Sequence, residues 1–255
     1  MAELERAVAV LAQAPSILVF TGAGISTESG IPDFRGPGGL WTKVDPDDFN
    51  ISRYVARRDL RVQKWRMHAN GELWGARSDV QPNRGHMAIV DLHRAGRLTG
   101  CVTQNIDGLH LLSGLPESHL AELHGDVRKV HCLDCGDEWP VAEILERVDS
   151  GEADPPCSKC GGILKTTTVM FGEMLPEHEM EKASLFAARA AAVIVVGSTL
   201  AVFPAAEIPL GMARDGKPMV IVNQGPTEAD FMATVRLEGA AGDLLPPLVA
   251  GIRSH

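Results

Sequence analysis

The sequence contains no apolar run approaching the roughly 18 residues that cross a bilayer, which excludes a helical membrane span. Positive charge is also scarce: 24 lysines and arginines stand against 33 aspartates and glutamates, a net charge of −9. A chain this acidic lacks the field that holds a phosphate backbone, so no specific nucleic-acid binding is expected, whereas lysine-rich partners would be attracted. Aromatic residues make up 5% of the chain, with one tyrosine, yet 45% of residues are hydrophobic, which excludes a disordered polymer. Also missing is a basic N-terminal region followed by an apolar signal core. Residues 1–15 read instead as a helix with Leu4, Val8 and Leu11 on one face, and a cytoplasmic location without membrane attachment is expected. A length of 255 residues suits one large domain, or one domain carrying an insertion. The oligomeric state is left open.

The five cysteines fall into a pattern. Cys132 and Cys135 form one C-x2-C pair, and Cys157 and Cys160 form a second. A two-residue gap lets both thiolates of a knuckle reach one ion, and two knuckles supply the closed tetrahedral shell of a structural zinc site. Gly136 and Gly161 follow the pairs and can take the positive φ of a knuckle turn. His131 is a possible substitute ligand, although four cysteines already fill the shell. A closed shell leaves no position for water, so the metal should hold structure and perform no chemistry. Cys101 lies in an apolar stretch and reads as a buried strand residue rather than a nucleophile.

Short β-branched apolar runs at residues 16–20, 98–103, 192–197 and 218–223 read as strands buried on both faces. Helical patterns at 83–94 (capped by Asn83), 177–190, 204–214 and 242–252 separate them. Strands of this kind alternating with helices imply an α/β layer fold around a parallel sheet. Residues 45–77, polar and helical in pattern, and residues 126–165, which carry the cysteine pairs, break the rhythm and read as two insertions forming a smaller lobe. The expected division is a large domain from residues 1–44, 78–125 and 166–255, with 45–77 and 126–165 as the parts of the small lobe. A cleft between lobes is where ligands prefer to bind.

A glycine-rich turn follows the first strand, and Gly22-Ala23-Gly24 would let backbone N–H groups approach a pyrophosphate. The standard dinucleotide fingerprint wants a third glycine where Thr27 stands, which disfavours an ordinary dehydrogenase and leaves a ligand-free tight turn as an alternative. Further polar groups follow other strands: Gln104, Asn105 and Asp107 after the second, Gly197, Ser198 and Thr199 after the most apolar one, and Asn223 at the end of the next. The carboxyl end of an open α/β sheet is its ligand side. His124 stands where the large domain hands over to the first knuckle, as a structural histidine or as a general base.

Together these segments resemble the sirtuins, the NAD-dependent protein lysine deacylases. The resemblance spans nearly the whole chain: GAGISTESGIPDFRG at 22–36, TQNIDGLH at 103–110, His124-Gly125, the two cysteine pairs, FGEMLP at 171–176, VVGSTLAVFPAAEIP at 195–209 and IVN at 221–223. It implies a Rossmann-like parallel sheet with helices on both faces, plus a small lobe made of a zinc-binding module and a helical insertion. NAD would be consumed as co-substrate. Gly22, Ala23, Gly24 and Ser26 would hold its phosphates, and Gly197, Ser198, Thr199, Asn223 and the backbone at Ala241 and Gly242 its adenosine half. Gln104, Asn105, Ile106 and Asp107 would position the nicotinamide and its ribose, with Asp33, Phe34 and Arg35 in the loop that closes over them. The acyl oxygen of a modified lysine would attack the ribose carbon as nicotinamide leaves, and His124 would then act as base, so that the acyl group ends on ADP-ribose. The peptide would lie extended between Gly172-Glu173 and Ala201-Val202-Phe203, its acyl-lysine stem passing Val169, Phe171 and Ile106.

Sirtuins that prefer acidic acyl groups carry a Tyr-x-x-Arg pair in the first insertion, and here the corresponding stretch from Val62 to Ala69 lacks it. Although Arg66 and His68 are nearby cations, the expectation is therefore a preference for acetyl or another uncharged acyl group, with Arg66 as the residue able to overturn it. Arg53, Arg57, Arg58, Arg61, Lys64 and Arg66 form a basic stretch that is either a solvated helix face or a surface for an acidic partner. The functional readings are a deacylase acting on acyl-lysine proteins, a mono-ADP-ribosyltransferase using the same NAD site, and a catalytically silent NAD- and peptide-binding module.

Overall fold

The computed structural model describes residues 2–33, 39, 42, 44–73 and 80–254. In chain order the strands are Ile17–Thr21 (β1), Leu98–Thr103 (β2), Leu120–Glu122 (β3), Lys129–Cys132 (β4), Glu138–Pro140 (β5), Leu164–Thr166 (β6), Ala192–Val196 (β7), Met219–Asn223 (β8) and Val235–Glu238 (β9). The helices are Ala2–Ala12 (α1), Ile51–Ala56 (α2), Arg58–Ala69 (α3), Arg84–Arg94 (α4), Leu109–Leu112 (α5), Val141–Asp149 (α6), Glu177–Arg189 (α7), Glu207–Arg214 (α8) and Ala241–Arg253 (α9).

Six strands form one sheet in the order β3-β2-β1-β7-β8-β9, every neighbouring pair parallel. All residues of β1, β7 and β8 are buried because helices cover both faces. Ile17, Val19, Ile194, Val196, Val220 and Val222 point to one side, against Leu11 of α1, Ile89 of α4 and Leu248 of α9. Leu18, Phe20, Val193, Val195 and Ile221 point to the other, against Phe186 of α7 and Leu210 of α8. The alternation follows from the two-residue period of a strand. Cys101 is fully buried among these residues, and burial pushes its thiol up to about 12, as suits an inert core residue.

A polar seam crosses this core beside β1. Thr21 Oγ1 lies 2.8 Å from Thr103 Oγ1 and 2.9 Å from His110 Nε2, and the His110 ring is 5.1 Å from that of His86. His86 in turn caps α4: its Nδ1 accepts from the Asn83 backbone N–H (3.3 Å) while Asn83 Oδ1 accepts from Gly85 N–H (2.9 Å), the reciprocal arrangement of a capping box. Burial lowers the pKa of His110 to about 4; burial and then the neighbouring imidazole lower that of His86 to about 3. The folded chain thus keeps both rings neutral where an unfolded chain, titrating near pH 6.5, takes up protons. Stability should therefore rise with pH between about 4 and about 6.5. A urea midpoint clearly lower at pH 4.5 than at pH 7 is expected, part of the difference disappearing in His110→Gln; an unchanged slope in that variant would remove His110 from the account.

The second sheet is small and antiparallel, in the order β5-β4-β6, and α6 packs beside it. Its core of Val130, Cys132, Val141, Ile144, Leu145, Cys157 and Leu164 is completed by Trp65 of α3, which is 1% exposed. Tyr54 of α2 adds a buried hydroxyl that donates to Leu164 O at 2.8 Å. The two insertions, distant in sequence, thus share one core. The basic stretch is largely neutralised: Arg53 pairs with Asp48, Arg57 with Asp59, and Arg58 and Arg61 with Asp154. Those partners support the solvated-face reading over an acidic partner. No helix among the described residues is long and apolar enough to cross a membrane.

Candidate active site

The strand order reverses direction between β1 and β7, and an open α/β sheet leaves its crevice at such a switch point, outside the carboxyl ends. There the loops after the two strands touch through backbone. Gly22 N–H donates to Val196 O at 3.0 Å and Gly24 N–H to Gly197 O at 2.9 Å. A methyl group at Gly24 would lie 2.6 Å from Gly197 Cα, and one at Gly197, whose φ is +60°, would lie 2.4 Å from Ile25 N. Only glycine permits both the approach and the conformation. Gly197→Ala should cost at least about 1–2 kcal/mol from the left-handed backbone alone. Its thermal midpoint and nucleotide affinity should fall together, and an unaltered affinity would show that the loops can separate without harm to the crevice.

From this crevice a cavity of about 570 Å³ extends into the small lobe, a size typical of ligand sites. Gly22–Gly24, Asp33, Gly197–Thr199, Asn223–Pro226 and Gly239–Ala241 line the sheet end. Gln104, Asn105, Ile106 and His124 line the middle, with Val169–Glu173, Val202 and Phe203 around the far wall. Because Gly22 and Gly24 spend their N–H groups on the β7 loop, Ala23 holds the N–H of this turn without a backbone partner among the described residues.

Four expected site residues do not line the cavity: Ser26, Asp107, Ala201 and Gly242. Ser26 and Asp107 stand behind it as supports. Asn105 Nδ2 donates to Ser26 Oγ (3.1 Å), Ser26 Oγ donates to Asp107 Oδ2 (2.7 Å), and Asp107 Oδ1 accepts from Leu109 N–H (2.9 Å). This chain fixes the amide of Asn105 at the cavity wall. Gly242 N–H is taken by Glu28 Oε2 at 2.6 Å, and the Asn223 side-chain amide donates to Gln224 O and Gly225 O, so each orders a loop at the sheet end. Ser198 donates to Gln104 Oε1 at 2.8 Å, linking the loops after β7 and β2. Phe34 and Arg35 lie outside the described residues.

His124 is held from both directions. Its Nδ1 lies 2.9 Å from Gln104 O, a group that can only accept, so Nδ1 carries the proton and the Nε2 lone pair remains available. Burial lowers the pKa of the ring, opposed in part by that hydrogen bond, which keeps the imidazole neutral. Its carbonyl accepts from Val169 N–H at 2.9 Å, coupling the histidine to the segment that forms the far wall. That segment is anchored by Lys165, whose ammonium meets Glu173 (3.0 Å), Thr168 O (2.7 Å) and Thr166 O (3.0 Å), and by Phe171 N–H donating to Phe49 O (2.9 Å). Around it, Phe171, Met174 and Phe203 expose apolar side chains.

The Sγ atoms of Cys132, Cys135, Cys157 and Cys160 all lie within 4.8 Å of one another, and none is in a disulfide. Zinc with four sulfurs at about 2.3 Å sets neighbouring sulfurs about 3.8 Å apart. The separations are 3.5 Å for Cys132–Cys160 and 3.7 Å for Cys135–Cys157, so the donor set fits one structural zinc ion. Gly136 and Gly161 have φ of +74° and +79° and donate to Cys132 O and Cys157 O, closing the two knuckles. His131 is not among the clustered groups.

Of the wall contributed by the small lobe, sequence reasoning had only His68; it missed Phe49, Tyr54, Lys64, Trp65 and Lys165, which border the cavity with it. The available signal was the presence of Tyr54 and Trp65 in a segment otherwise polar enough to be solvated.

Sheet order and crevice define a Rossmann-like nucleotide-binding class with a metal-knuckle lobe set against its ligand side. Comparison narrows the class. The Sir2 family model matches residues 22–204. An NAD-dependent protein deacetylase 1 of Bradyrhizobium diazoefficiens is 41% identical over 247 residues, 96% of this chain and 95% of that protein. An NAD-dependent protein deacylase 2 of Archaeoglobus fulgidus is 40% identical over 252 residues, 98% of this chain and 96% of that one. Among solved structures, a Sir2 enzyme superimposes with a TM-score of 0.88 at 39% identity, covering 99% of this chain and 98% of the other. A Sir2–p53 peptide–NAD+ complex gives 0.81 at 32% identity, covering 95% of each. The chain belongs to the Sir2 family, the sirtuins.

Proposed function

We propose that the protein is an NAD-dependent protein lysine deacylase, a deacetylase in the first instance, which transfers the acyl group to ADP-ribose and releases nicotinamide. The observation that carries the reading is the continuity of one cavity from the glycine crevice, past Asn105 and His124, to the wall of Val169 and Phe171. That cavity suits a dinucleotide at the sheet end and an acyl-lysine stem at the other, meeting beside an imidazole. NAD supplies an electrophilic ribose carbon and a leaving group. The chain's residues supply position and proton transfer: Ala23 and the loops after β7 and β8 face the nucleotide, Asn105 is held rigid by Ser26 and Asp107, and His124 takes a proton at Nε2. The carbonyl of Val169 accepts no backbone hydrogen bond among the described residues and suits the amide of the modified lysine. Exposed Phe171, Met174 and Phe203 suit an extended peptide laid across the mouth. The charge of −9 favours lysine-rich substrates.

On this reading residues 45–77 and 126–165 act as one lobe over the large domain. A reducing, cytoplasmic setting agrees with four cysteines arranged for a metal and no disulfide among the described residues. Mass spectrometry of an acetyl-lysine peptide incubated with NAD separates the readings. Loss of the acetyl mass with release of nicotinamide is expected. A gain of ADP-ribose would favour the transferase, and an unchanged peptide the silent module.

A further inference from the structure

The cavity continues past His124 into the small lobe, where α3 lines it with Lys64, Trp65 and His68. Lys64 is 4% exposed, and its ammonium sits 3.0 Å from the centroid of the Phe49 ring. No carboxylate forms an ion pair with it among the described residues. Asp48, the acid that acts on it electrostatically, is occupied by Arg53 at 3.2 Å. The other buried ammonium on this wall, Lys165, is satisfied by Glu173 and two carbonyls. His68 stands one helical turn from Lys64, and its Nδ1 is buried without a partner, leaving Nε2 as its nitrogen open to the cavity. Burial, and then the charge of Lys64, hold this imidazole neutral, so Nε2 can carry a proton and donate it in a hydrogen bond. An unpaired buried cation is costly and a carboxylate is its natural complement.

We propose that the small-lobe end of the cavity receives an acyl chain ending in a carboxylate, of the succinyl-lysine class, with Lys64 as counter-ion and His68 as hydrogen-bond donor. The proposal rests on the deacylase reading of the site and concerns which acyl groups that site takes. It reverses the expectation of an uncharged acyl group, in which Arg66 was the cation able to overturn that preference. Arg66 lies on another face of α3, where it borders a separate groove with Val62, Gln63 and Met67. The missing Tyr-x-x-Arg pair is thus replaced by different residues on the same helix.

The test compares kcat/KM of the full-length, zinc-loaded protein on acetyl-, butyryl- and succinyl-lysine versions of one peptide. Butyryl and succinyl share a four-carbon chain and differ in the terminal carboxylate. The succinyl value should exceed the butyryl value at least about tenfold, and Lys64→Met should lower that ratio at least about tenfold while Lys64→Arg preserves it. If Lys64→Met loses its cooperative melt, His68→Leu serves instead, with the same ratio expected to fall. Succinyl turnover at or below butyryl turnover in the unaltered protein, or a ratio indifferent to Lys64 and His68, overturns the proposal. Failure of all three peptides would instead remove the deacylase reading, whereas turnover of acetyl and butyryl peptides with rejection of succinyl sinks this inference alone.

Discussion

His124→Ala should lower kcat/KM for deacylation by about 10²- to 10⁴-fold, the range a positioned general base contributes, while leaving nucleotide affinity nearly intact. The separation follows from geometry. Gln104 O fixes the tautomer, the ring sits in the middle of the cavity, and the glycine loops at the sheet end, proposed to hold the nucleotide, are built without the imidazole. Because burial lowers the His124 pKa, the neutral base should persist as pH falls, and the acid limb of the rate profile should lie below about 6.5. Calorimetric titration with NAD and a steady-state assay check both halves. Ordinary turnover in the variant, or loss of NAD binding, would refute the assignment. Asn105→Ala should fail earlier, at exchange of labelled nicotinamide.

The second large effect concerns the metal. Cys135→Ala should remove the bound zinc and take solubility and activity with it. The module spans three short strands and one helix, too little apolar surface to stabilise itself by burial, and structural zinc supplies about 10–16 kcal/mol of apparent binding energy in small domains. Loss should not stay local, because Trp65 and Tyr54 from the helical insertion are built into the same core. Elemental analysis should find near-stoichiometric zinc in the unaltered protein and in Cys101→Ser, and none in Cys135→Ala. A metal-free yet active Cys135→Ala protein would show that the knuckles are dispensable.

What could be read from the sequence depended on how strongly each segment is buried. β1, β7 and β8 are covered on both faces, so their runs of valine and isoleucine stand out. β3 and β9 lie at the sheet edges, three and four residues long, and their mixed composition gives no signal. The cysteine cluster, the close glycine turn and the place of His124 on the cavity were legible because spacing and flanking glycines mark such positions in the string. Facing was not. Ser26 and Asp107 stand behind the cavity wall, and Lys64 and His68 look solvated in a string yet line the cavity, because a helix in a polar segment does not announce which side meets a neighbour. The small-lobe end of the cavity is assembled by the approach of two insertions, and no local pattern records an approach.

The shared core around Trp65 also sets the unit in which this lobe can be exchanged. A chimaera that transplanted residues 126–165 alone would leave Trp65 facing a foreign surface, and one that moved the helical insertion alone would leave the knuckle module with a hole the size of an indole. Moving both insertions together carries their packing with them, along with Lys64 and His68 on the same helix as Trp65. Acyl preference should therefore graft between relatives only as a two-segment cassette, never one piece at a time.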